Sequence, residues 1–178
     1  MVAAAIDALG VPVSRQVYNF EADGRPNVVH DETTWAATAA EMNTKLDVWG
    51  MKDTMIWRFP PEAIHGYLRN PYYLVVTRDS IAITQRRCAN FKLNKPEQYF
   101  GVLKHQVRPE YEKMWGFVDG LPPAPLLLIS CERVFRNREA FCEATAAFLG
   151  LAPSPEELQR ASDRISPVGG YFLGEEKT

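Results

Sequence analysis

Cysteine is scarce in this sequence: three thiols, Cys88, Cys131 and Cys142, with no Cys-x-x-Cys pair among 178 residues. An odd number without paired spacing argues against a disulfide framework and against a zinc ribbon, and fits a reducing, cytoplasmic compartment. Long hydrophobic runs are absent as well. The longest stretch without a charge, residues 120–131, is far short of the roughly 20 apolar residues that cross a bilayer, so no membrane span is expected. Positive charge is not in excess either. With 20 Lys plus Arg against 22 Asp plus Glu, the net charge is -2, so no whole-molecule field draws the chain onto nucleic acid, and any anion site must be local. The apolar start, residues 1–10, has no basic region ahead of it and carries Asp7, so it reads as a helix and not as a secretion signal. No Gly-x-Ser-x-Gly or Gly-x-Gly-x-x-Gly occurs. His65 and His105 have no acidic or cysteine partner at metal-ligand spacing, so both read as structural or solvated.

What is present is an ordinary globular balance, 46% hydrophobic and 24% charged, which fits one domain over 1–178. Period 3.6 predicts a helix over 2–9 that stops at Gly10. Residues 13–30 carry turn chemistry (Asp23, Gly24, Pro26, Asn27) and read as a loop. Asp31 or Thr33 then caps a helix running to about Lys45, with Trp35, Ala39 and Met42 along one face. Residues 54–59 read as a strand ended by Pro60 and Pro61, and 62–69 as a short helix. Residues 72–77 (YYLVVT) and 126–130 (LLLIS) are apolar without alternation, the pattern of strands buried on both faces of a parallel sheet. They are expected to lie side by side or nearly so. Helical spacing recurs over 80–88, over 96–118 with Pro109 as a kink, over 138–149 and over 155–165. Strands alternating with helices predict an α/β fold, a parallel sheet flanked by helices on both faces.

In such folds ligands gather at the carboxyl ends of strands, where helix N-termini present unpaired N–H groups. The turn Thr77-Arg78-Asp79-Ser80 is such a place. Arg78 with Ser80, and Arg86 and Arg87 two turns on, could grip a phosphate, although Asp79 as a simple helix cap paired with a nearby arginine explains the same residues. A second candidate is Lys52-Asp53, ahead of the strand over 54–59: the lysine could neutralise a transferring group, or the two could form a surface ion pair beside a buried Trp49. The third is His30-Asp31-Glu32, where an imidazole or carboxylate could take a proton from an attacking hydroxyl, or a capping box could account for both acids.

The order of these pieces is more specific than any one of them. A helix ending in Leu9-Gly10-Val11, WGMKD at 49–53, YLVVTRD at 73–79, LLISCER at 127–133 and AAFLGL at 146–151 together resemble the bacterial sulfotransferase family over almost the whole chain. The resemblance implies a P-loop nucleoside-kinase-type fold and 3'-phosphoadenosine-5'-phosphosulfate (PAPS) as sulfuryl donor. It aligns Arg78 with the arginine that contacts the nucleotide 3'-phosphate, and places Arg86 where the family has a serine. Lys52 and Asp53 match the start of the family's Lys-Asp-Pro-Arg segment, with Thr54 and Met55 replacing its last two residues. Relatives place a strand and a glycine-rich phosphate loop ahead of the helix that matches residues 1–9, so the domain is expected to be N-terminally incomplete relative to the family.

These readings lead to two expectations. In the first, the chain transfers a sulfuryl group from PAPS to a hydroxyl or amine of a small-molecule or carbohydrate acceptor: Lys52, paired with Asp53 in the catalytic segment, stabilises charge, Arg78, Ser80 and Arg86 bind the donor, and His30, Asp31 or Glu32 is the base. In the second, a catalytically inactive relative binds a nucleotide or a protein partner. A metabolite kinase on the same fold ranks third, because no Walker lysine is present.

Overall fold

The structure, a computed structural model, describes residues 2–14, 19–20, 26–27, 31–53 and 55–165. It is a mixed fold, mostly helical, with strands in pairs. The helices are α1 (Val2–Ala8), α2 (Glu32–Lys45), α3 (Pro61–Tyr67), α4 (Ser80–Asn90), α5 (Pro96–Val102), α6 (Arg108–Asp119), α7 (Cys131–Arg136), α8 (Arg138–Phe148) and α9 (Pro155–Asp163). The strands are β1 (Val13–Ser14), β2 (Asn19–Phe20), β3 (Pro26–Asn27), β4 (Gly50–Met51), β5 (Tyr73–Thr77) and β6 (Leu126–Ser130).

Strands β5 and β6 pair in parallel from Tyr73 opposite Leu126 to Thr77 opposite Ser130, the adjacency expected of the two apolar runs. Their burial differs from expectation. Of these ten residues only Ile129 is buried, while Leu128 is 54% and Val76 40% exposed. The cause is sheet width: among the described residues no third strand pairs with either, so both are edge strands. Ile129 faces a core built from α1, α7, α8 and the turn after α9, through Ala5, Leu9, Val134, Cys142 and Ile165. Side chains alternate along a strand, so Leu128 lies on the opposite face, which no helix covers at that residue. Helices pack closely on the Ile129 face, whereas the Leu128 face is covered only in part, with α3 reaching Tyr73 through His65.

Two other expectations are corrected. Residues 55–59, the described part of the strand expected over 54–59, do not form one: the chain makes a 3-10 turn over Ile56–Arg58, because the Asp53 carboxylate accepts the Met55 N–H at 2.7 Å and Phe59 N–H returns to the Ile56 carbonyl at 3.0 Å. Such local side-chain bonds divert a backbone from a sheet ladder. Within the predicted loop over 13–30, β1 pairs in parallel with β4, and β2 pairs antiparallel with β3. Pairs of two residues are too short to show a period.

The kink over 96–118 has a definite origin. Residues Leu103–Val107 form a π-turn between α5 and α6, in which the Arg108 N–H reaches back five residues to the Leu103 carbonyl. The wider register comes immediately before Pro109, which has no N–H to donate and would crowd an ordinary helical turn. A second core, with Trp35, Ala39, Phe59, Ile64 and Phe117, joins α2, α3 and α6. A third, with Cys88, Val102 and Val107, holds α4 against the kinked helix.

Where α6 ends, Gly120 abuts α3 so closely that a Cβ would lie 2.9 Å from Pro61 Cγ. Gly120 has an ordinary helical φ of −84°, so chain entropy alone would make Gly120→Ala stabilising by about 0.4–1 kcal/mol. The clash is with a ring carbon locked into the first turn of α3, and forced repacking costs about 1–3 kcal/mol. Gly120→Ala should therefore lower the urea midpoint; an unchanged or raised midpoint would show that the α3–α6 junction yields without cost.

Candidate functional site

The carboxyl ends of β5 and β6 open into a cavity of about 560 Å³ lined by Thr77, Arg78, Asp79, Tyr111, Trp115, Ser130, Glu132, Arg133 and Arg136. Each strand runs directly into a helix. Asp79 caps α4 by accepting the Ala82 N–H at 2.8 Å, and the Ser130 side chain accepts from the Arg133 N–H at the start of α7. Two strand-to-helix turns thus sit side by side, because β5 and β6 are parallel and in register.

Arg78 is held by Tyr111 and Glu132. Its backbone N–H donates to the Tyr111 hydroxyl at 3.1 Å, the same hydroxyl donates to the Arg78 carbonyl, and its guanidinium Nε lies 4.0 Å from Glu132 Oε1. The side chain is only 18% exposed. Glu132 also accepts the Asp79 N–H at 2.9 Å and the Ser130 hydroxyl at 3.3 Å, tying the two turns together. The helix carrying Tyr111 is positioned by the π-turn and by an ion pair of 2.6 Å between Arg87 on α4 and Glu110. Arg133 and Arg136 on α7 are exposed and line the cavity mouth.

Burial pushes the Tyr111 phenol above its ordinary value of 10.0, against the lowering effect of its bond to the Arg78 backbone and with a smaller upward push from Glu132 and Asp79. It remains a neutral hydroxyl that both donates and accepts. Burial likewise raises the Tyr73 phenol and the Cys131 and Cys142 thiols. A folded state that holds a proton more tightly than the unfolded chain has its full stability below the unfolded pKa and loses it as pH rises through the folded one. The contribution of these thiols and phenols should be constant from neutral pH to about pH 8, begin to fall above the ordinary thiol value of 9.0, and fall more steeply beyond the phenol value of 10.0. Denaturant midpoints measured across that range would refute this if they stayed level or rose.

The other sequence candidates lie elsewhere. Asp31 is the N-cap of α2, accepting the Thr34 N–H at 2.7 Å, and Glu32 accepts the Tyr67 hydroxyl at 2.7 Å, which joins α2 to α3. That bond is the main reason the Tyr67 phenol is raised. His30 lies outside the described residues. Lys52 is exposed just after β4, and Asp53 serves the turn at Met55; neither lines the cavity. Ser80 opens α4 and its carbonyl accepts the Thr84 hydroxyl at 2.8 Å, while Arg86 is exposed further along the same helix; both lie off the cavity wall. His65 Nδ1 sits 3.2 Å from the Tyr73 hydroxyl, and His105 is exposed on the π-turn. Of the predicted set, then, the structure places Arg78 in the cavity and adds Tyr111, Trp115, Glu132, Arg133 and Arg136. A signal for part of that addition was available: LLISCER repeats the strand-to-charged-helix junction of YLVVTRD, and Arg133 and Arg136 are spaced to share a helix face.

Among the described residues no group of three His, Cys, Asp or Glu side chains gathers as metal ligands, and no helix is long and apolar enough to cross a membrane. Comparison of the chain with protein-family models, with curated proteins and with solved structures found no match.

Proposed function

We propose that this chain is a PAPS-dependent sulfotransferase of P-loop nucleoside-kinase-type fold, with the nucleotide's 3'-phosphate held at Arg78. The observation that carries the reading is the position of Arg78: an arginine at the carboxyl end of a parallel strand, beside a helix N-terminus, opening into a cavity between two strand-to-helix turns. A guanidinium there offers a planar fork to phosphate oxygens, and the adjacent turn of α4 adds a favourable dipole. Tyr111 and Glu132 hold it in place from behind, so little side-chain freedom is lost on binding. When bound, PAPS supplies the activated sulfuryl group, and the acceptor is a hydroxyl or amine of a small molecule or carbohydrate. In this reading Lys52, beside Asp53, neutralises charge on the group in transfer, and His30, Asp31 or Glu32 takes the acceptor's proton.

A second reading, binding of a nucleotide or a protein partner without transfer, is favoured by one observation: Lys52 and Asp53 follow the separate pair β1–β4 and line no wall of the cavity. Two measurements on the full chain separate the readings. Calorimetric titration with adenosine 3',5'-bisphosphate tests the nucleotide site, and release of labelled sulfate from PAPS to a panel of hydroxyl and amine acceptors tests transfer. Binding with transfer that Lys52→Ala abolishes supports the enzyme; binding without transfer supports the second reading; the absence of both overturns the assignment of Arg78.

A further inference from the structure

The charges around the cavity are not equally engaged. Asp79 caps α4, and Glu132 accepts the Asp79 N–H and the Ser130 hydroxyl while facing Arg78. Both carboxylates on the wall are therefore committed to the protein. Arg133 and Arg136 are not: among the described residues neither guanidinium has a carboxylate within ion-pair distance, and both are exposed. Spaced by three on α7, they project from one face of the helix into the same cavity. Trp115, one turn beyond Tyr111 on α6, completes that part of the lining and is 37% exposed. Two guanidinium forks with no carboxylate partner among the described residues, beside an accessible indole, make a surface for a ligand with an anionic group on a ring that has a C–H face to lay against the indole.

We propose that Arg133, Arg136 and Trp115 form an acceptor subsite selecting acidic carbohydrates, molecules in which a carboxylate or sulfate is carried on a sugar ring. The anion is held by the two arginines and the ring lies against the indole. The proposal rests on the sulfuryl-transfer reading, with Arg78 serving the donor and α7 the acceptor. It gives the cavity two separate anion anchors, one fixed by Glu132 and Tyr111, the other without a carboxylate partner among the described residues and able to draw in an acid.

The test is equilibrium binding to the full chain of glucuronic acid, glucose 6-sulfate and glucose, with adenosine 3',5'-bisphosphate titrated in parallel. Both acidic sugars should bind at least about tenfold more tightly than glucose, the scale of one charged hydrogen bond, and the R133A/R136A double variant should lose that preference. R133K/R136K should keep part of it, since the charge remains and the fork does not. Preference for the sulfate or for the carboxylate alone would identify which acid the subsite serves. Adenosine 3',5'-bisphosphate affinity should be unchanged in both variants. Equal binding of glucose and the acids, acid binding that survives R133A/R136A, or a parallel loss of the bisphosphate would each overturn the proposal, the last because the arginines would then belong to the nucleotide. If the bisphosphate fails to bind the unaltered chain while the acids bind through Arg133 and Arg136, the donor reading falls and the acid subsite stands.

Discussion

Ile129→Asp should unfold the protein, whereas Leu128→Asp, one residue earlier, should leave it nearly as stable as before. Ile129 is 4% exposed and sits where β6 meets α1, α7 and α8, so a carboxylate there would be buried among the apolar side chains of that core. An uncompensated buried charge costs about 3–5 kcal/mol, and the loss of the isoleucine's packing adds about 2–5 kcal/mol, against a total stability of about 5–15 kcal/mol for a domain. Leu128 is 54% exposed on the other face, and substitutions at such positions stay within about 0.5 kcal/mol. Ile129→Val calibrates the site: one methylene should cost about 0.5–1.5 kcal/mol. Circular dichroism and urea titration of the three variants check the set. A damaging Leu128→Asp would mean that both faces of the strand pair are covered, as the uniform hydrophobicity of the run suggests.

That contrast shows where sequence reading stops. The runs YLVVT and LLLIS are legible as strands because β-branched and apolar residues are bounded by turns and charges, and their parallel pairing follows from the helices that intervene. How many strands flank them is not a property of either run, so uniform hydrophobicity overstates their burial. Caps were legible for the opposite reason: Asp31 and Asp79 bond to N–H groups three residues on, within the reach of a local pattern. Apolar Ile56, Trp57 and Phe59 suggest a strand that residues 55–59 do not form, because the deciding contact is a single carboxylate bond from Asp53. Pro109 revealed a kink, but not that a π-turn would absorb it or that the displaced helix would carry Tyr111 to the strand end. Arg78 was legible from its place at a strand end. Its partners were not, since Tyr111 lies 33 residues away and Glu132 reaches the adjacent Asp79 across 53.

Those distant partners set the size of the second large effect, which concerns Arg78. If adenosine 3',5'-bisphosphate binds, Arg78→Ala should weaken it by about 2 kcal/mol or more, roughly thirtyfold, the scale of a charged hydrogen-bond partner removed from a partly buried site. Arg78→Lys keeps the charge without the fork and should fall in between. Tyr111→Phe makes the sharper comparison, since it leaves the guanidinium intact and removes only the hydroxyl that bonds both backbone groups of Arg78. Two part-buried polar groups then lose their partner, which should cost stability by about 1–3 kcal/mol and weaken the nucleotide several-fold by releasing the strand end. Raising the salt concentration should narrow the difference between Arg78 and Arg78→Ala only modestly, because a guanidinium exposed by 18% is screened less than a surface charge. Calorimetry at two ionic strengths, with urea midpoints for each variant, measures all of this. Unchanged affinity in Arg78→Ala would remove the nucleotide from this cavity, whereas a loss of affinity in Tyr111→Phe at unchanged stability would mean that the hydroxyl touches the ligand itself and does not act through the backbone of Arg78.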